Sequence, residues 1–511
     1  MKKNILLLCL LCSGKIFAQT PEDALKYSWY PQNATARIMA VGGAMGSLGG
    51  DITATFVNPA GLGFYKTGDF VLTPGFLSKK NDADYFNNHS SVNKSSFNLG
   101  PSGFVIGGPT QSGKSASFSL AVNQSVSFNN SLHLNALNNK SSFSEQFAEE
   151  FANSGLSIDG ALNVNSSVPY GAAPALYTYL IDTVTVAGNT TIKAAPEYIL
   201  DAGQALRQDM YKQTNGGIYE VAIGGAIDDN DKWMYGASIG IPIVYYKSNT
   251  TFTESDTSSN TSNYFNSFKY NDTYTTTGGG VNLKLGAIFR PQEYLRFGLA
   301  IHTPSFMWLH DKRVTTLNTQ IENPVLNSSS TSLDFTNNEP GVSKYIQSSP
   351  WKAILSGSYV FRETQDVTRQ RAFITADVEY VNYKGSRFHA DNSASGMDYK
   401  SYYNGVNDVI KSDYKGAFNF RAGGELKFNT FMVRGGFAYY SSPYADASLK
   451  ASQALASGGI GYRNKGVFID LTYIHNITKD INFPYRLETG SYYATTQQKR
   501  DQVVATVGFK F

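Results

Sequence analysis

Apolar and polar residues alternate one by one along most of this chain, which is the period expected of a β-strand. The C-terminal run is the clearest, because its apolar residues share one face: Val503, Ala505, Val507, Phe509 and Phe511. A run over 418–428 places Arg421, Glu425 and Lys427 opposite apolar residues. A soluble sandwich would not bury such charges, whereas the wet lumen of a membrane barrel accommodates them.

Fourteen runs of this kind can be placed along the chain. We predict strands near 68–80, 94–108, 115–129, 216–227, 232–250, 273–290, 294–311, 343–361, 371–388, 413–428, 430–441, 452–463, 466–478 and 500–511. An even number of strands is typical of bacterial membrane barrels.

The connections between these runs alternate in length. Short ones fall at 109–114, 228–231, 291–293, 362–370, 429 and 464–465, and longer ones at 81–93, 130–215, 251–272, 312–342, 389–412, 442–451 and 479–499. Tight turns at one rim and extended loops at the other are typical of an outer-membrane barrel. The predicted fold class is therefore all-β, a transmembrane antiparallel β-barrel of about 14 strands. A soluble all-β repeat protein is the alternative, and it would not explain this alternation.

Composition supports a membrane barrel. Among 511 residues there are 47 Gly, 33 Tyr and 32 Phe, and only 16% are charged. Soluble chains carry about 25% charged residues. The net charge of +3 gives no indication of a nucleic-acid partner.

The first eighteen residues have the pattern of a secretory signal peptide. Lys2 and Lys3 precede an apolar run over 5–11, and Phe17-Ala18 offers a small-residue cleavage site. The apolar run is far shorter than the roughly 20 residues of a spanning helix. Both cysteines lie inside 1–18, so the mature chain has no thiol, no disulfide and no Cys metal site.

Residues 19–66 do not alternate and are rich in Gly and small residues. Asn58-Pro59 is a turn signal, and proline excludes a central strand at that point. A compact segment of this kind, placed ahead of a barrel, is suited to fold back into the lumen as a plug. We therefore predict three parts: a signal peptide at 1–18, a hatch at 19–66 and a barrel at 67–511.

The hatch segment resembles that of the FadL family of outer-membrane transporters for long-chain fatty acids and aromatic hydrocarbons. The resemblance rests on a Gly-rich stretch with Asp51 seven residues before Asn58-Pro59-Ala60. Two later stretches add to it, 294–300 and 434–439 with Pro443 behind it, and the opening 23–28 is similar to the Bacteroidetes branch. It covers the chain from about Asp23 to the C-terminus, loops excepted.

This resemblance implies a 14-stranded barrel plugged by an N-terminal hatch, with Asp51, Asn58, Pro59 and Ala60 as its motif. It further implies that cargo binds among the outer loops, then inside the barrel, and leaves sideways into the bilayer beside a kinked third strand. The triplet Asn58-Pro59-Ala60 would lie near that exit. The predicted third strand, 115–129, contains no Gly to mark a kink, so the sequence itself gives the exit no support.

Several motifs suggest other chemistry and are outweighed by their context. Residues 108–115 match a phosphate-binding P-loop, and 236–240 match a nucleophile elbow, but both need a following helix and both lie in strand patterns. The six histidines show no metal-ligand spacing. We predict no catalytic residue, no metal and no cofactor, although His310 and His389 are candidates to meet in the loops and contact heme.

The connection at 130–215 is too long for a plain loop. Phe143, Phe147 and Phe151 recur every fourth residue, which predicts a helix, and a second helix is predicted at 201–213. The candidate ligand contacts are apolar residues of this loop: Phe147, Phe151, Leu176 and Tyr179. The alternative is that these apolar faces only cap the mouth of the barrel.

The function predicted is passive uptake of small hydrophobic molecules across the bacterial outer membrane, without enzymatic activity. The alternative is a surface binding or adhesion protein, heme binding included, that uses its long loops. An outer-membrane lipase would need a Ser–His pair, and the sequence shows no convincing one. Expected partners are a hydrophobic ligand, the surrounding lipid and lipopolysaccharide, and the barrel-assembly machinery, and the chain is expected to be a monomer.

Overall fold

The computed structural model describes residues 20–110, 114–186, 188–322, 325–361, 371–391, 399–490 and 492–511. The predicted signal peptide lies outside these residues. Among the described residues, no helix is both long enough and apolar enough to cross a membrane.

Fourteen antiparallel strands form one closed sheet. They are β1 (Asp69–Leu72 and Pro74–Tyr85), β2 (Asn88–Leu99 and Ser102–Pro109), β3 (Lys114–Ser127 and Asn130–Asn138), β4 (Leu206–Asp229), β5 (Trp233–Asp256), β6 (Ser267–Gln292), β7 (Leu295–His302 and Phe306–Ile321), β8 (Gly341–Ser348 and Lys352–Phe361), β9 (Ala372–Asn382 and Arg387–Ala390), β10 (Gly416–Phe428), β11 (Phe431–Tyr440), β12 (Ser452–Asn464), β13 (Val467–Asn482) and β14 (Ala494–Lys510). Each strand pairs with the next, and β14 pairs with β1, which closes the barrel. The predicted all-β barrel of fourteen strands is confirmed.

The two faces of the wall differ as the alternation predicts. Phe418 and Phe437 point outwards and are 53% and 52% exposed, whereas Asn419 and Arg421 point inwards and are 1% and 2% exposed. An exposed belt of large apolar side chains of this extent is unfavourable in water and favourable in lipid. The barrel wall is therefore built to span a membrane.

The wall has a turn rim, where connections are short, and a loop rim, where they are long. The loop rim carries α3 (Glu145–Ser154), α4 (Ile158–Ala161), α5 (Ala172–Tyr177) and α6 (Glu197–Asp201) between β3 and β4, and α7 (Tyr399–Asp413) between β9 and β10. Two short strands, Ile181–Val186 and Asn189–Ala194, form a separate hairpin in the first of these loops, and Leu326–Thr331 pairs with β7.

The N-terminal segment lies inside the barrel. It contains α1 (Pro21–Lys26), α2 (Ala36–Ala40) and two 3-10 turns, Ile52–Phe56 and Pro59–Phe64. Its hydrogen bonds reach strands on different sides of the wall. Ala36 N donates to Thr506 on β14 (2.8 Å), Met45 N to Asp377 on β9 (3.0 Å), and Ser238 on β5 donates to Thr55 O (2.8 Å).

Strand glycines make room for this segment. A Cβ at Gly423 would lie 2.5 Å from the carbonyl oxygen of Val41, and one at Gly436 would overlap the backbone of Val41 and Gly42. Glycine in a strand interior often marks such a close approach of another backbone. The adjacent Gly435 points outwards, and nothing lies within 4 Å of its missing Cβ.

The structure corrects the predicted loops. Residues 81–93 are not a long loop, because β1 and β2 continue to a two-residue turn at Phe86 and Asn87, whose φ angles are 45° and 61°. The helix predicted at 201–213 is wrong, since β4 begins at Leu206, while the helix predicted near Phe143–Phe151 is found as α3. Above the membrane both faces of a strand are polar, so the apolar alternation fades there although the strand continues.

We expect Gly436→Val to loosen the N-terminal segment, because the added side chain overlaps its backbone at a cost of about 1–3 kcal/mol. Limited proteolysis of the purified protein should cut residues 20–66 faster in this variant than in wild type. Gly435→Val is the matched control, since its side chain enters open space, and it should leave the cleavage rate unchanged. Equal cleavage of both variants would contradict the packing argument.

Candidate functional site

Asp51 and Asn58 shape the N-terminal segment from within. Asp51 Oδ1 accepts from Thr53 N (2.9 Å) at the start of the first 3-10 turn, and its Oδ2 accepts from Thr35 Oγ1 (2.8 Å). Asn58 Oδ1 accepts from Ala60 N (3.1 Å), while its Nδ2 donates to Gly46 O (2.5 Å). Both residues act as N-caps, a role for which Asp and Asn are preferred.

Pro59 is the first residue of the second turn, where a missing N–H is harmless, and Ala60 follows it. The turn packs on the inner face of β4 to β6, and a Cβ at Gly236 of β5 would strike the backbone of Pro59 and Ala60. The triplet thus contacts the wall several strands away from β2. A different residue of the segment, Asn33, lies at a gap in the ladder between β2 and β3.

That gap is a seam between β2 and β3. Their backbone pairing runs from Pro109 opposite Ser115 to Ser102 opposite Val122 and then stops. Toward the loop rim, the Asn88–Leu99 part of β2 pairs only with β1, and the Asn130–Asn138 part of β3 pairs only with β4. We call this unpaired stretch the seam.

Two local features interrupt the ladder. Gly100-Pro101 separates the two parts of β2, and proline has no N–H to donate. On β3, the register against β4 shifts between Gln124 and Val126, which is a β-bulge at Ser125. A β-bulge bends a strand locally, and no glycine is needed to produce this one. The kink beside a lateral exit that the family resemblance implies stays a prediction.

The bulge also reverses the faces of β3. The alternation predicts Val126 and Phe128 on the face of Phe118, and this is wrong: both are buried, whereas Phe118 is exposed. One extra residue moves every later side chain to the other face. Phe128 consequently enters the lumen, where its ring packs edge-on against Tyr27 next to α1, with centroids 6.3 Å apart.

Side chains close the seam in place of a ladder. Asn33 Nδ2 lies within hydrogen-bonding distance of three oxygens: Leu99 O of β2 (3.1 Å), Gln124 O of β3 (2.9 Å) and Asn123 Oδ1 (3.2 Å). Gln124 Oε1 accepts from Leu99 N (3.2 Å), and nearer the loop rim Asn81 Nδ2 donates to Ser131 O (2.6 Å). Among the described residues, Asn33 Oδ1 and Gln124 Nε2 have no protein hydrogen-bond partner.

A lumen cavity lies directly behind the seam, with Asn33, Asn123 and Ser125 in its lining. With its open end included, its empty volume is about 870 Å³. Its charged or titratable lining residues are Glu220, Lys284, His302, Lys352, Glu379 and Arg421, joined by the rings of Tyr27, Tyr30, Tyr383 and Tyr440.

The charged side chains in the cavity form one ion pair and one group of three. Lys284 binds Glu220, Lys352 Nζ lies 3.5 Å from Glu379, and Arg421 lies 3.4 Å from the same carboxylate. Lys352 keeps 33% of its side chain exposed, against 6% for Lys284. Lys352 is therefore the cation best placed to meet a further anion.

At the loop rim, the apolar residues that the sequence singles out pack together. Phe147, Phe151 and Leu176 are buried at 3%, 7% and 7% exposure, while Tyr179 is 57% exposed. Phe143 stacks on Phe252 of β5 with ring centroids 4.1 Å apart. We call the packed cluster of Phe143, Phe147, Phe151, Leu176 and Phe252 the loop cap. The ligand contacts predicted for these residues stay a prediction, and only Tyr179 presents an open apolar surface.

The other sequence candidates lie apart from this cavity. Ser238 of the elbow motif is mid-strand on β5, and the P-loop match falls partly outside the described residues. His310 and His389 point outwards on β7 and β9, with β8 between them, rather than meeting in the loops. Within the described residues, no cluster of three His, Cys, Asp or Glu side chains is arranged to hold a metal.

No protein-family model matches the chain. No curated protein matches it either. Among solved structures, a Pseudomonas aeruginosa FadL homologue aligns with 93% of this chain and 98% of its own, with a TM-score of 0.51 and 13% identity. The Pseudomonas putida toluene transporter TodX aligns with 94% and 99%, with a TM-score of 0.51 and 12% identity. The FadL-like architecture that the sequence predicts is thus confirmed as a shared fold.

We expect the loop cap to weaken as pH rises, because burial raises the pKa of Glu150 in α3 to about 7 from 4.5. A raised carboxyl pKa means that folding favours the protonated form. The stabilisation is therefore complete below pH 4.5 and is lost as pH rises to about 7. Proteolysis within 139–205 should be faster at pH 8 than at pH 5, measured with a protease active at both.

Glu150→Gln should reduce that dependence, since the amide oxygen still accepts from Ala172 N (2.8 Å) without carrying a charge. Part of the dependence should remain, because burial also raises the pKa of Glu145 in α3 to about 7. Asp159→Asn, at an exposed position of α4, is the control and should leave the dependence unchanged. A cleavage rate that depends on pH equally in wild type and Glu150→Gln would refute the assignment.

Proposed function

We propose that this chain is an outer-membrane channel for the passive uptake of small hydrophobic molecules that carry a polar end. The observation that carries the proposal is the seam: a stretch of wall closed only by side chains, with a cavity behind it and the N-terminal segment lodged in it. In a bilayer, a stretch without a backbone ladder is the part of the wall that opens at least cost.

The cellular setting follows from the architecture. The predicted signal peptide at 1–18 directs export, and the barrel-assembly machinery inserts the chain as a monomer among outer-membrane lipid and lipopolysaccharide. The turn rim and both termini face the periplasm, and the loop rim faces outwards, as in bacterial barrels generally. The FadL homologue and the toluene transporter that share this fold support transport of a hydrophobic molecule.

The proposed route has three stages. A ligand enters through the loop rim, where Phe147, Phe151, Leu176 and Tyr179 are the candidate contacts. It then occupies the lumen cavity, part of whose lining comes from the hatch formed by 19–66. Finally it leaves sideways through the seam once Asn33 withdraws from Leu99 and Gln124. The concentration gradient supplies the energy.

The lining of the cavity favours an amphipathic cargo over a pure hydrocarbon. Apolar contact with the tyrosine rings stabilises a chain at about 25 cal/mol per Å² buried. A hydrocarbon would leave Lys352 and its neighbours without a new partner, whereas a carboxylate adds a charged hydrogen bond. Long-chain fatty acids have both features.

A surface binding or adhesion protein is the second candidate. It is favoured by one observation, the loop cap, whose buried aromatic residues form a well-packed body at the loop rim. In that function the N-terminal segment never moves and the seam never opens, so a test that locks the seam separates the two candidates.

Cross-linking the seam should stop uptake if cargo leaves there. Both cysteines, Cys9 and Cys12, lie in the predicted signal peptide. Leu99→Cys with Gln124→Cys therefore introduces the only two thiols after residue 18, and a short reducible cross-linker can join β2 to β3. We expect uptake of labelled oleate by cells that express this variant to fall on cross-linking and to return on reduction.

The control places the thiols where the same strands are already paired, at Ile106→Cys and Phe118→Cys, which face each other in the ladder. Cross-linking there should leave uptake unchanged. If the seam pair can be locked without any loss of oleate uptake, lateral release is refuted.

Replacing Lys352 should separate cargo classes. Lys352→Met removes the accessible cation, while Arg421 still neutralises Glu379 at 3.4 Å. A charged hydrogen bond contributes about 1.5–3 kcal/mol, so binding of oleate to the purified protein should weaken by about tenfold or more. Oleyl alcohol, which has a closely similar chain without the carboxylate, should bind equally to both proteins. An equal loss for the two ligands would contradict a carboxylate site.

A further inference from the structure

The outer surface of the barrel carries an unbalanced charge on one side. Between the apolar belt and the loop rim, the outward positions of β5 to β8 hold four lysines: Lys247, Lys269, Lys312 and Lys344. The outward positions of the same stretches contain no Asp or Glu, because the acidic residues of these strands, such as Glu254 and Asp272, face the lumen. We call the four lysines the basic wall.

Three of these lysines are close neighbours. Lys247 on β5 and Lys312 on β7 both lie opposite Thr275 of β6, which places them two strand spacings apart, roughly 10 Å. Lys344 on β8 lies opposite His310, two residues before Lys312. Lys312 and Lys344 are therefore diagonal neighbours, with Cβ atoms about 7–8 Å apart. None of the three forms an ion pair with any described residue.

The opposite side of the barrel shows the usual arrangement. On β13, β14 and β1, the outward lysines Lys80 and Lys499 share Asp82, at 3.4 Å and 3.6 Å, and His475 lies 2.8 Å from Asp501. Like charges on one face of a sheet repel, and opposite charges stabilise it. The basic wall therefore lacks the internal compensation that the opposite side has.

The position of the basic wall along the barrel axis indicates which layer of the membrane it faces. Tyr245 and Trp308 are exposed on the outside, two residues nearer the turn rim than Lys247 and His310. Exposed Tyr and Trp of a barrel mark the level of lipid headgroups. The lysine side chains, which extend away from the apolar belt, therefore reach the layer where headgroup phosphates lie.

We propose that the basic wall binds the phosphate groups of lipopolysaccharide, so that this lipid is held on the β5–β8 side of the barrel. The proposal rests on the proposed outer-membrane location with the loop rim outwards. The phosphates supply the negative charge that the wall lacks, and each lysine near a charged lipid surface strengthens binding about fivefold.

The test measures binding of purified lipid A to the full mature chain in detergent, by native mass spectrometry. The variant Lys247→Gln with Lys312→Gln and Lys344→Gln should weaken lipid A binding by about tenfold or more. The matched control removes three outward lysines from the other side, Lys80→Gln with Lys479→Gln and Lys499→Gln. It changes the net charge equally and should bind lipid A as wild type does.

Three results would overturn the proposal: equal weakening in both triple variants, no weakening in either, or equal binding of wild type to lipid A and to phosphatidylglycerol. If the triple variant folds poorly, as judged by its melting temperature, Lys312→Gln alone should still weaken binding by about fivefold. Oleate uptake by cells expressing the wall variant should remain, so failure of transport and failure of lipid binding are separate outcomes.

Discussion

Inside a bilayer, every backbone N–H and C=O needs a partner within the protein, and the closed ladder of fourteen strands follows from that requirement. At the seam between β2 and β3, the backbone ladder does not meet this requirement. There side chains take the place of the missing backbone partners. One of these side chains, Asn33, belongs to the N-terminal segment rather than to the wall. The segment is thus part of the wall at this point, and its position and the closure of the seam depend on each other.

The fit of the segment inside the barrel depends on the absence of side chains. Gly423 and Gly436 on neighbouring strands leave space for the backbone at Val41 and Gly42, and Gly236 does the same for Pro59. Polar residues then bond to the segment from several strands, as Asp377 does to Met45 and Thr506 does to Ala36. Steric exclusion sets how closely the segment approaches, and these hydrogen bonds set its orientation.

The sequence predicts the strands well where a strand crosses the membrane, because there one face meets lipid and the other meets water. It fails where both faces are polar, which is why most of 81–93 and the stretch 206–213 are strand rather than loop and helix. The bulge at Ser125 could not be predicted either, because no residue type in β3 marks its position. The bulge nevertheless reverses the faces of Val126 and Phe128. Asp51 and Asn58 could be identified because capping is local. Asn33 could not, because its partners lie 66 and 91 residues further along the chain.

The circumference of the barrel divides into two sides with different relations to lipid. Next to the seam, the outward charges of β1 and β14 neutralise one another, so that stretch of wall offers no strong hold on a headgroup. The basic wall lies about four strands further round, centred on β6 and β7, and its charge is left for an external anion. In the proposed route the wall parts at the seam, where lipid held only loosely is displaced at least cost. The proposed lipid site on β5 to β8 lies away from that opening, so the two proposals assign different tasks to the two sides of the barrel.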